Sequence, residues 1–158
     1  MMIPMRELEV GVLLFFIQLF CTYAMTGIIW FVQVVHYPLF DRVSDSRWTE
    51  FHRAHSFRIT WIVAPLMLLE LIAAIYFFFL PAGIMSRGEK DIAFLLVVLI
   101  WASTFGLQVP QHNRLARVFL PDAHRRLVTT NWVRTIAWSA RSVVVTIWIC
   151  RLAIRTVA

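Results

Sequence analysis

Four long apolar runs constrain what this chain can fold into more than any other feature. They cover residues 10–35, 59–80, 92–109 and 132–149 of a 158-residue sequence. A helix of about 20 residues crosses the hydrocarbon core of a bilayer, and each run reaches or approaches that length. The short connections between the runs favour antiparallel neighbours. The sequence therefore predicts an all-α fold, an integral membrane antiparallel four-helix bundle, as one domain over residues 1–158.

The composition excludes most soluble folds. Apolar residues make up 60% of the chain and charged residues 15%, with a mean hydropathy of +0.73. Soluble proteins average roughly 45–50% apolar residues and roughly 25% charged residues. Cys21 and Cys150 both lie in apolar sequence, which argues against a disulfide framework or a cysteine metal site. The expected partners are membrane lipid and a lipophilic small molecule, and homo-oligomerisation is left open.

The basic residues predict an orientation in the membrane. Nine of them lie in or beside the connections between runs one and two and between runs three and four: Arg42, Arg47, Arg53, Arg58, Arg114, Arg117, Arg125, Arg126 and Arg134. Five lie on the opposite side: Arg6, Arg87, Lys90, Arg151 and Arg155. Since basic residues favour the cytoplasmic side, we expect both termini outside the cytoplasmic (inner) membrane. Orientation in the membrane accounts for the excess of arginine, so no nucleic-acid partner is expected.

Two short patterns occur once in each half of the chain. Gln33-Val34 matches Gln108-Val109, and His55-x-x-Arg58 matches Asn131-x-x-Arg134. The separation from glutamine to arginine is 25 residues in the first half (58 − 33) and 26 in the second (134 − 108). One interpretation is two pseudo-repeated helical hairpins related by an axis along the membrane normal. The other is chance and a shared preference for polar residues at interfaces, and the sequence leaves both open.

All five histidines fall at helix ends that an alternating bundle places at one membrane surface. They are His36, His52, His55, His112 and His124. Converging imidazoles suit a transition metal, so the first four are a candidate ligand set for iron, copper or zinc. Asp41 and Glu50 are nearby carboxylates. The alternative is that interfacial histidines only bind headgroups and backbone carbonyls.

Other polar residues are expected beside the histidines. We predict catalytic roles for Arg58, Arg134 and Asn131, and substrate contacts for Gln33, Gln108 and Trp138. A guanidinium can hold a carboxylate or a phenolate through two hydrogen bonds. Such residues would form a polar pocket at the mouth of an apolar bundle, although each arginine alone could equally be a membrane anchor.

Glu70 and Arg141 are charged residues inside apolar runs. At about 1.5 Å per residue, their distances from Arg58 and Arg134 place them within roughly 7 Å of each other in depth. An isolated charge at the bilayer centre costs at least ~2.5–3.5 kcal/mol. The sequence therefore predicts a structural ion pair between them, with a proton or anion contact as the functional alternative.

The second half of the chain resembles a known family. Residues Thr104-Phe105, then Val109-Pro110-Gln111-His112-Asn113-Arg114-Leu115, and Asn131-Trp132-Val133-Arg134 are similar to the anthrone oxygenase-like family of small four-helix membrane proteins. The resemblance implies a pocket at His112, Asn131 and Arg134, and some members oxidise anthrones to anthraquinones. His112 stands where asparagine is more frequent in the family, and His36, His52 and His55 have no counterpart there.

The function predicted from these features is a membrane-embedded oxidoreductase or oxygenase. It would act on a lipophilic aromatic or quinone-like substrate at the cytoplasmic side, with or without a metal. One alternative is electron transfer through a haem held by two of the histidines. Another is a non-enzymatic membrane subunit, or a carrier of metal ions or protons.

Overall fold

Four helices in the described part of the chain are long and apolar enough to cross a membrane. The structure, a computed structural model, describes residues 5–80 and 85–157, and the side chains of residues 9–80 and 85–155. The helices are α1 (Met5–Phe31), α2 (Asp45–Phe79), α3 (Arg87–Ser103), α4 (Val109–Leu115) and α5 (Pro121–Val157). The four candidate spans are Glu9–Arg42, Asp45–Phe79, Arg87–Leu115 and Pro121–Arg155. The described part of the chain is all-helical, as predicted, while the side chain of Arg6 lies outside it.

Two of the spans widen into a π-helical turn near one end. One such turn follows α1 over Val32–His36, and the other joins α3 to α4 over Thr104–Gln108. A 3-10 turn, Pro38–Arg42, comes after the first. The recurring glutamines Gln33 and Gln108 each lie within a π turn and are both buried. Wide turns of this kind are rare in proteins as a whole, but those that occur are often found at functional sites.

The helices extend beyond the apolar runs on the side of the histidines. Helix α2 begins at Asp45, after Ser44, and so starts well before residue 59. Pro65 lies inside this helix, which continues to Phe79. Helix α5 begins at Pro121, where proline suits a first helical position. The apolar runs therefore locate the spans, and polar helical turns that carry His52, His55 and Asn131 continue the same helices beyond them.

Each long helix packs against two others. Helices α1 and α3 both contact α2 and α5. Hydrogen bonds between α1 and α5 run from Tyr23–Thr146 through Thr26–Ser142 to Trp30–Ser139, so residue numbers rise along one helix as they fall along the other. Small hydroxyl side chains let membrane helices approach closely and bond across the interface.

Buried apolar side chains form three clusters along the bundle. One surrounds Phe40 and Trp48 at the histidine end, one surrounds Met25 and Trp138 in the middle, and one contains Trp148 at the far end. Large apolar side chains also cover the outside, among them Phe20, Trp61 and Phe79, whose exposed fractions are 68%, 71% and 76%. An outer surface this apolar is suited to lipid and not to water.

A capping box at the start of α3 gives a test of the described fold. The Ser86 hydroxyl accepts from the backbone N–H of Glu89, and the Glu89 carboxylate accepts from the backbone N–H of Ser86 at 2.9 Å. We expect Ser86→Ala to lower the free energy of unfolding by about 0.5–2 kcal/mol, measured by thermal unfolding in detergent. Ser44 also precedes a helix but makes no capping hydrogen bond. Ser44→Ala is thus the matched control, and an equal loss in both variants would contradict the prediction.

Candidate functional site

Four of the five histidines form one cluster, composed of His36, His52, His55 and His112. Its members come from the π turn after α1, from α2 and from α4. The ring centroids of His36 and His55 are 4.6 Å apart, those of His52 and His112 are 5.4 Å apart, and those of His55 and His112 are 5.7 Å apart. The structure therefore brings together the four imidazoles that the sequence singled out as a set.

The rings of the cluster are joined in two hydrogen-bonded pairs. His36 Nε2 lies 2.8 Å from His55 Nδ1, and His52 Nε2 lies 3.2 Å from His112 Nδ1. The second nitrogen of His112, Nε2, lies 3.0 Å from the Tyr37 hydroxyl. In each imidazole pair one nitrogen donates and the other accepts. A proton can therefore pass along each pair with little movement of the rings.

Aromatic side chains hold the cluster in place. Phe40 is fully buried and its ring lies 5.1 Å from His55 and 5.2 Å from His36, centroid to centroid. The indole of Trp48 donates to the Leu115 carbonyl at 2.7 Å and fixes α2 to the end of α4. These contacts position the imidazoles because the 3-10 turn carries Phe40 back towards α2.

Most ring nitrogens of the cluster are hydrogen-bonded to one another or to the Tyr37 hydroxyl. His55 Nε2 is buried and has no hydrogen-bond partner, whereas His112 uses both of its nitrogens. Neither Asp41 nor Glu50 hydrogen-bonds to the cluster: Asp41 pairs with Arg42 at 3.5 Å, and Glu50 is exposed. Within residues 5–80 and 85–157 no group of three or more His, Cys, Asp or Glu residues is arranged to hold a metal ion. Iron, copper or zinc ligation by this set stays a prediction.

The fifth histidine supports the cluster from outside. His124 Nε2 lies 2.8 Å from the backbone carbonyl of Tyr37, and its ring stacks on Phe40 with centroids 6.2 Å apart. Tyr37 is also buried. Sequence reasoning did not single out Tyr37, which follows His36 directly, or Phe40, which lies four residues after His36.

A large apolar groove opens beside the cluster, between α1 and α2. Its volume is about 560 Å³. Three polar residues line it, His36, His55 and Arg58, and the rest of the lining is apolar or glycine: Gly27, Ile28, Phe31, Val32, Phe51, Ala54, Ile59 and Ile62. This α1–α2 groove therefore offers a long apolar surface with imidazoles and a guanidinium at one place.

The two arginines expected at the site occupy different surroundings. Arg58 is exposed and lines the α1–α2 groove. Arg134 is buried, donates to Asn131 Oδ1 at 3.4 Å, and has an Nε atom without a partner. Of the two arginines, Arg58 lines the α1–α2 groove and Arg134 does not, so the structure does not join them in that pocket.

The amide residues form a separate network. Asn131 donates to Gln33 Oε1 at 2.9 Å, and Gln33 donates to the Val128 carbonyl at 3.1 Å. Gln108 donates to Thr130 at 3.1 Å. These three residues do not line the groove but join the π turns to α5. Trp138 lies in the apolar cluster around Met25 and so also lies apart from the groove.

Glu70 and Arg141 form a buried ion pair, as the similar depths of the two residues along their helices predict. The guanidinium Nε donates to Glu70 Oε1, and Nη1 donates to the Ala93 carbonyl at 2.6 Å. Thr22 also donates to Glu70 Oε1, at 3.2 Å. These buried contacts tie all four long helices together at this depth, because Thr22 is on α1, Glu70 on α2, Ala93 on α3 and Arg141 on α5.

Comparisons with protein-family models, with curated proteins and with solved structures found no match for this chain. The resemblance to anthrone oxygenase-like proteins therefore stays an expectation carried by the short motifs in the second half.

Proposed function

We propose that the protein is an oxidoreductase of the oxygenase type that acts on a lipophilic aromatic, quinone-like compound in the α1–α2 groove. The observation that carries this proposal is the juxtaposition of an apolar groove of about 560 Å³ with His36, His55 and Arg58. A ring system would occupy the apolar part and direct its oxygen atom towards the imidazoles. Such a substrate would enter from the surrounding lipid.

The proposal includes a setting in the membrane. The opposed numbering along α1 and α5 supports an antiparallel four-helix bundle, and the glutamines in the π turns support two related hairpins. We place the histidine cluster at the cytoplasmic face of the inner membrane, with both termini on the other side. This orientation rests on the asymmetry of basic residues.

The proposed reaction begins with a proton transfer. His36 uses one ring nitrogen, Nε2, to contact His55, which leaves its Nδ1 to take an acidic C–H or O–H proton from the substrate. As His36 Nδ1 gains that proton, the Nε2 proton moves to His55 Nδ1. Arg58 then stabilises the enolate or phenolate by its positive charge.

Dioxygen is the proposed oxidant. The electron-rich anion transfers electrons to O₂, a carbon–oxygen bond forms at the deprotonated carbon, and the O–O bond then breaks. For a CH₂ group conjugated with a ketone through an aromatic ring, as in an anthrone, one oxygen atom becomes the new carbonyl and the other leaves as water with both hydrogens. The imidazole pair thereby returns to its starting protonation state. None of these steps uses a metal.

Filling the groove is expected to abolish binding. Ala54 lines it, and Ala54→Trp would place an indole in the space that the substrate rings need. We expect the yield of cross-links from a photoreactive azidonaphthoquinone to fall about tenfold or more, equal to at least about 1.4 kcal/mol of binding free energy. Mass spectrometry of the labelled protein should place wild-type cross-links within residues 27–36 and 51–62.

The matched control is Ala102→Trp, on an exposed face of α3. This substitution adds the same indole away from the groove and should leave the cross-linking yield unchanged. Equal yields in wild type and Ala54→Trp, or labels spread over all four helices, would contradict the proposed site.

The cofactor predictions have their own test. Metal analysis of the purified protein, compared with a His52→Ala, His55→Ala double variant, shows whether the cluster binds iron, copper or zinc. An absorption spectrum of the same samples tests the haem alternative through its Soret band.

A further inference from the structure

The contacts between α1 and α2 fix which of their residues lie at the same depth. His36 Nε2, in the turn after α1, is 2.8 Å from His55 Nδ1, and the Thr22 hydroxyl is 3.2 Å from Glu70 Oε1. The residue numbers of these two pairs add up to 91 and 92. A residue of α1 therefore lies level with the residue of α2 that completes the same sum.

The α1–α2 groove continues well beyond its polar residues towards the middle of the bundle. Arg58 is the deepest polar residue of the lining, and Gly27 belongs to the lining too. In the register of the two helices Gly27 is level with residues 64–65, which is six to seven residues deeper than Arg58. At 1.5 Å per residue this difference is about 10 Å. The walls of this inner part of the groove are apolar: Ile28, Phe31, Val32, Ile59 and Ile62.

Gly27 keeps the inner part of the groove open. A Cβ atom at this position would meet no heavy atom of another part of the described chain within 4 Å. Gly11, on the same helix, differs, because a Cβ atom there would lie 3.4 Å from the Tyr76 hydroxyl. Gly27 does not have a positive φ angle, so its backbone conformation does not require glycine. What the missing side chain provides is free space between α1 and α2.

The shape and chemistry of the inner part suit a hydrocarbon chain. A ring system with its oxygen atom at His36 and His55 occupies the polar part and leaves the inner part as a narrow strip along two helices. A polar group would lose its hydrogen bonds there, because no polar side chain lines this strip. A flexible chain leaves lipid for it without a desolvation cost and gains van der Waals contacts along its length.

We propose that the substrate is an aromatic head group that carries an aliphatic chain, and that Gly27 determines how long a chain the site accepts. This inference rests on the proposed function, since the head group binds at His36, His55 and Arg58. The chain runs from there along the inner part of the groove towards Gly27. Gly27 touches no reacting atom, so it selects among substrates without taking part in the oxidation.

The test is competition against the photoreactive azidonaphthoquinone, with the full-length protein in phosphatidylcholine vesicles. Two competitors share one head group: a methylnaphthoquinone and the same compound with a decyl chain. Gly27→Leu should raise the concentration of the decyl compound that halves cross-linking by about tenfold, because the leucine side chain fills the space of the chain. The short compound should change by less than about twofold. Comparing variant with wild type for one compound cancels its partition into the bilayer.

Gly106→Leu is the matched control for this substitution. Gly106 is exposed, lies outside the groove lining, and a Cβ atom there would also meet no heavy atom of another part of the described chain within 4 Å. Neither competitor should be affected in this variant. Leucine is a better helix former than glycine, so Gly27→Leu should be inserted and folded as well as wild type.

The outcomes separate this inference from the proposed function. An unchanged decyl compound in Gly27→Leu, or an equal loss for both competitors, would overturn the role of Gly27 and leave the head-group site to be judged by Ala54→Trp. Wild-type cross-links that avoid the groove altogether would overturn the proposed function and this inference together.

A diazirine at the far end of the decyl chain gives a direct measurement of where the chain lies. Mass spectrometry should place its cross-links mainly within residues 27–31 and 59–62, which form the inner part of the groove. Cross-links spread evenly over the exposed residues of α1, α2, α3 and α5 would show that the chain lies in lipid and would overturn the proposal.

Discussion

Removing either member of the Glu70–Arg141 pair is expected to destabilise the protein by about 3–5 kcal/mol. Glu70→Leu would leave the Arg141 guanidinium buried with one backbone carbonyl, and Arg141→Leu would leave the Glu70 carboxylate with the Thr22 hydroxyl alone. Both side chains are almost fully buried, so water cannot replace the lost partner. The measurements are the yield of membrane-inserted protein and its thermal unfolding in detergent.

The double variant makes this prediction specific to the pair. With Glu70→Leu and Arg141→Leu together no charge is left unpaired, so stability should return to within about 1–2 kcal/mol of wild type or rise above it. Asp91→Asn removes the acid of an exposed pair with Arg87 and should cost less than about 1 kcal/mol. Wild-type stability in both single variants, or a double variant as unstable as the sum of the two, would contradict the prediction.

Substituting the histidines that line the groove is expected to have the largest effect on turnover. His36→Ala removes the proposed base. His55→Ala removes the imidazole whose Nδ1, 2.8 Å from His36 Nε2, would receive the Nε2 proton of His36. General-base catalysis contributes about 10²–10⁴-fold to rates. We expect each variant to lower kcat for anthrone oxidation by a factor in that range, measured by the absorbance of the anthraquinone formed.

The pattern among variants tests whether the two imidazoles act as a unit. In that case the double variant should be little slower than either single variant, because removing one member already disables proton transfer. His124→Gln is the control, since His124 lies outside the groove lining and the glutamine amide can still donate to the Tyr37 carbonyl. Full activity in His36→Ala and His55→Ala would remove the proposed mechanism while leaving ligand binding to be judged by Ala54→Trp.

The positions of the spans and the clustering of the histidines could be predicted from the sequence because both follow from the lengths of the apolar runs. A run long enough to cross a bilayer fixes where a helix lies, and alternating spans place His36, His52 and His112 at one end. The contact between Glu70 and Arg141 follows in the same way from depth alone.

Which side chains point into the bundle and which point outwards could not be predicted in the same way. The pattern His55-x-x-Arg58 resembles Asn131-x-x-Arg134, yet Arg58 is exposed beside the groove and Arg134 is buried. The two π turns contain the recurring glutamines Gln33 and Gln108, but a repeated Gln-Val pattern does not by itself specify a wide helical turn. Trp138, predicted as a substrate contact, lies in the apolar cluster around Met25 and not in the groove.

The order of helix contacts has a consequence for how molecules reach the interior. Helix α1 touches α2 and α5, and α3 touches the same two, so the four long helices close into a ring. Apart from the α1–α2 groove beside the histidines, the ring keeps lipid tails away from the central charges of Glu70 and Arg141, which are almost fully buried. The α1–α2 groove is therefore the place where a molecule dissolved in the lipid can reach the histidine end of the bundle without passing the Glu70–Arg141 pair.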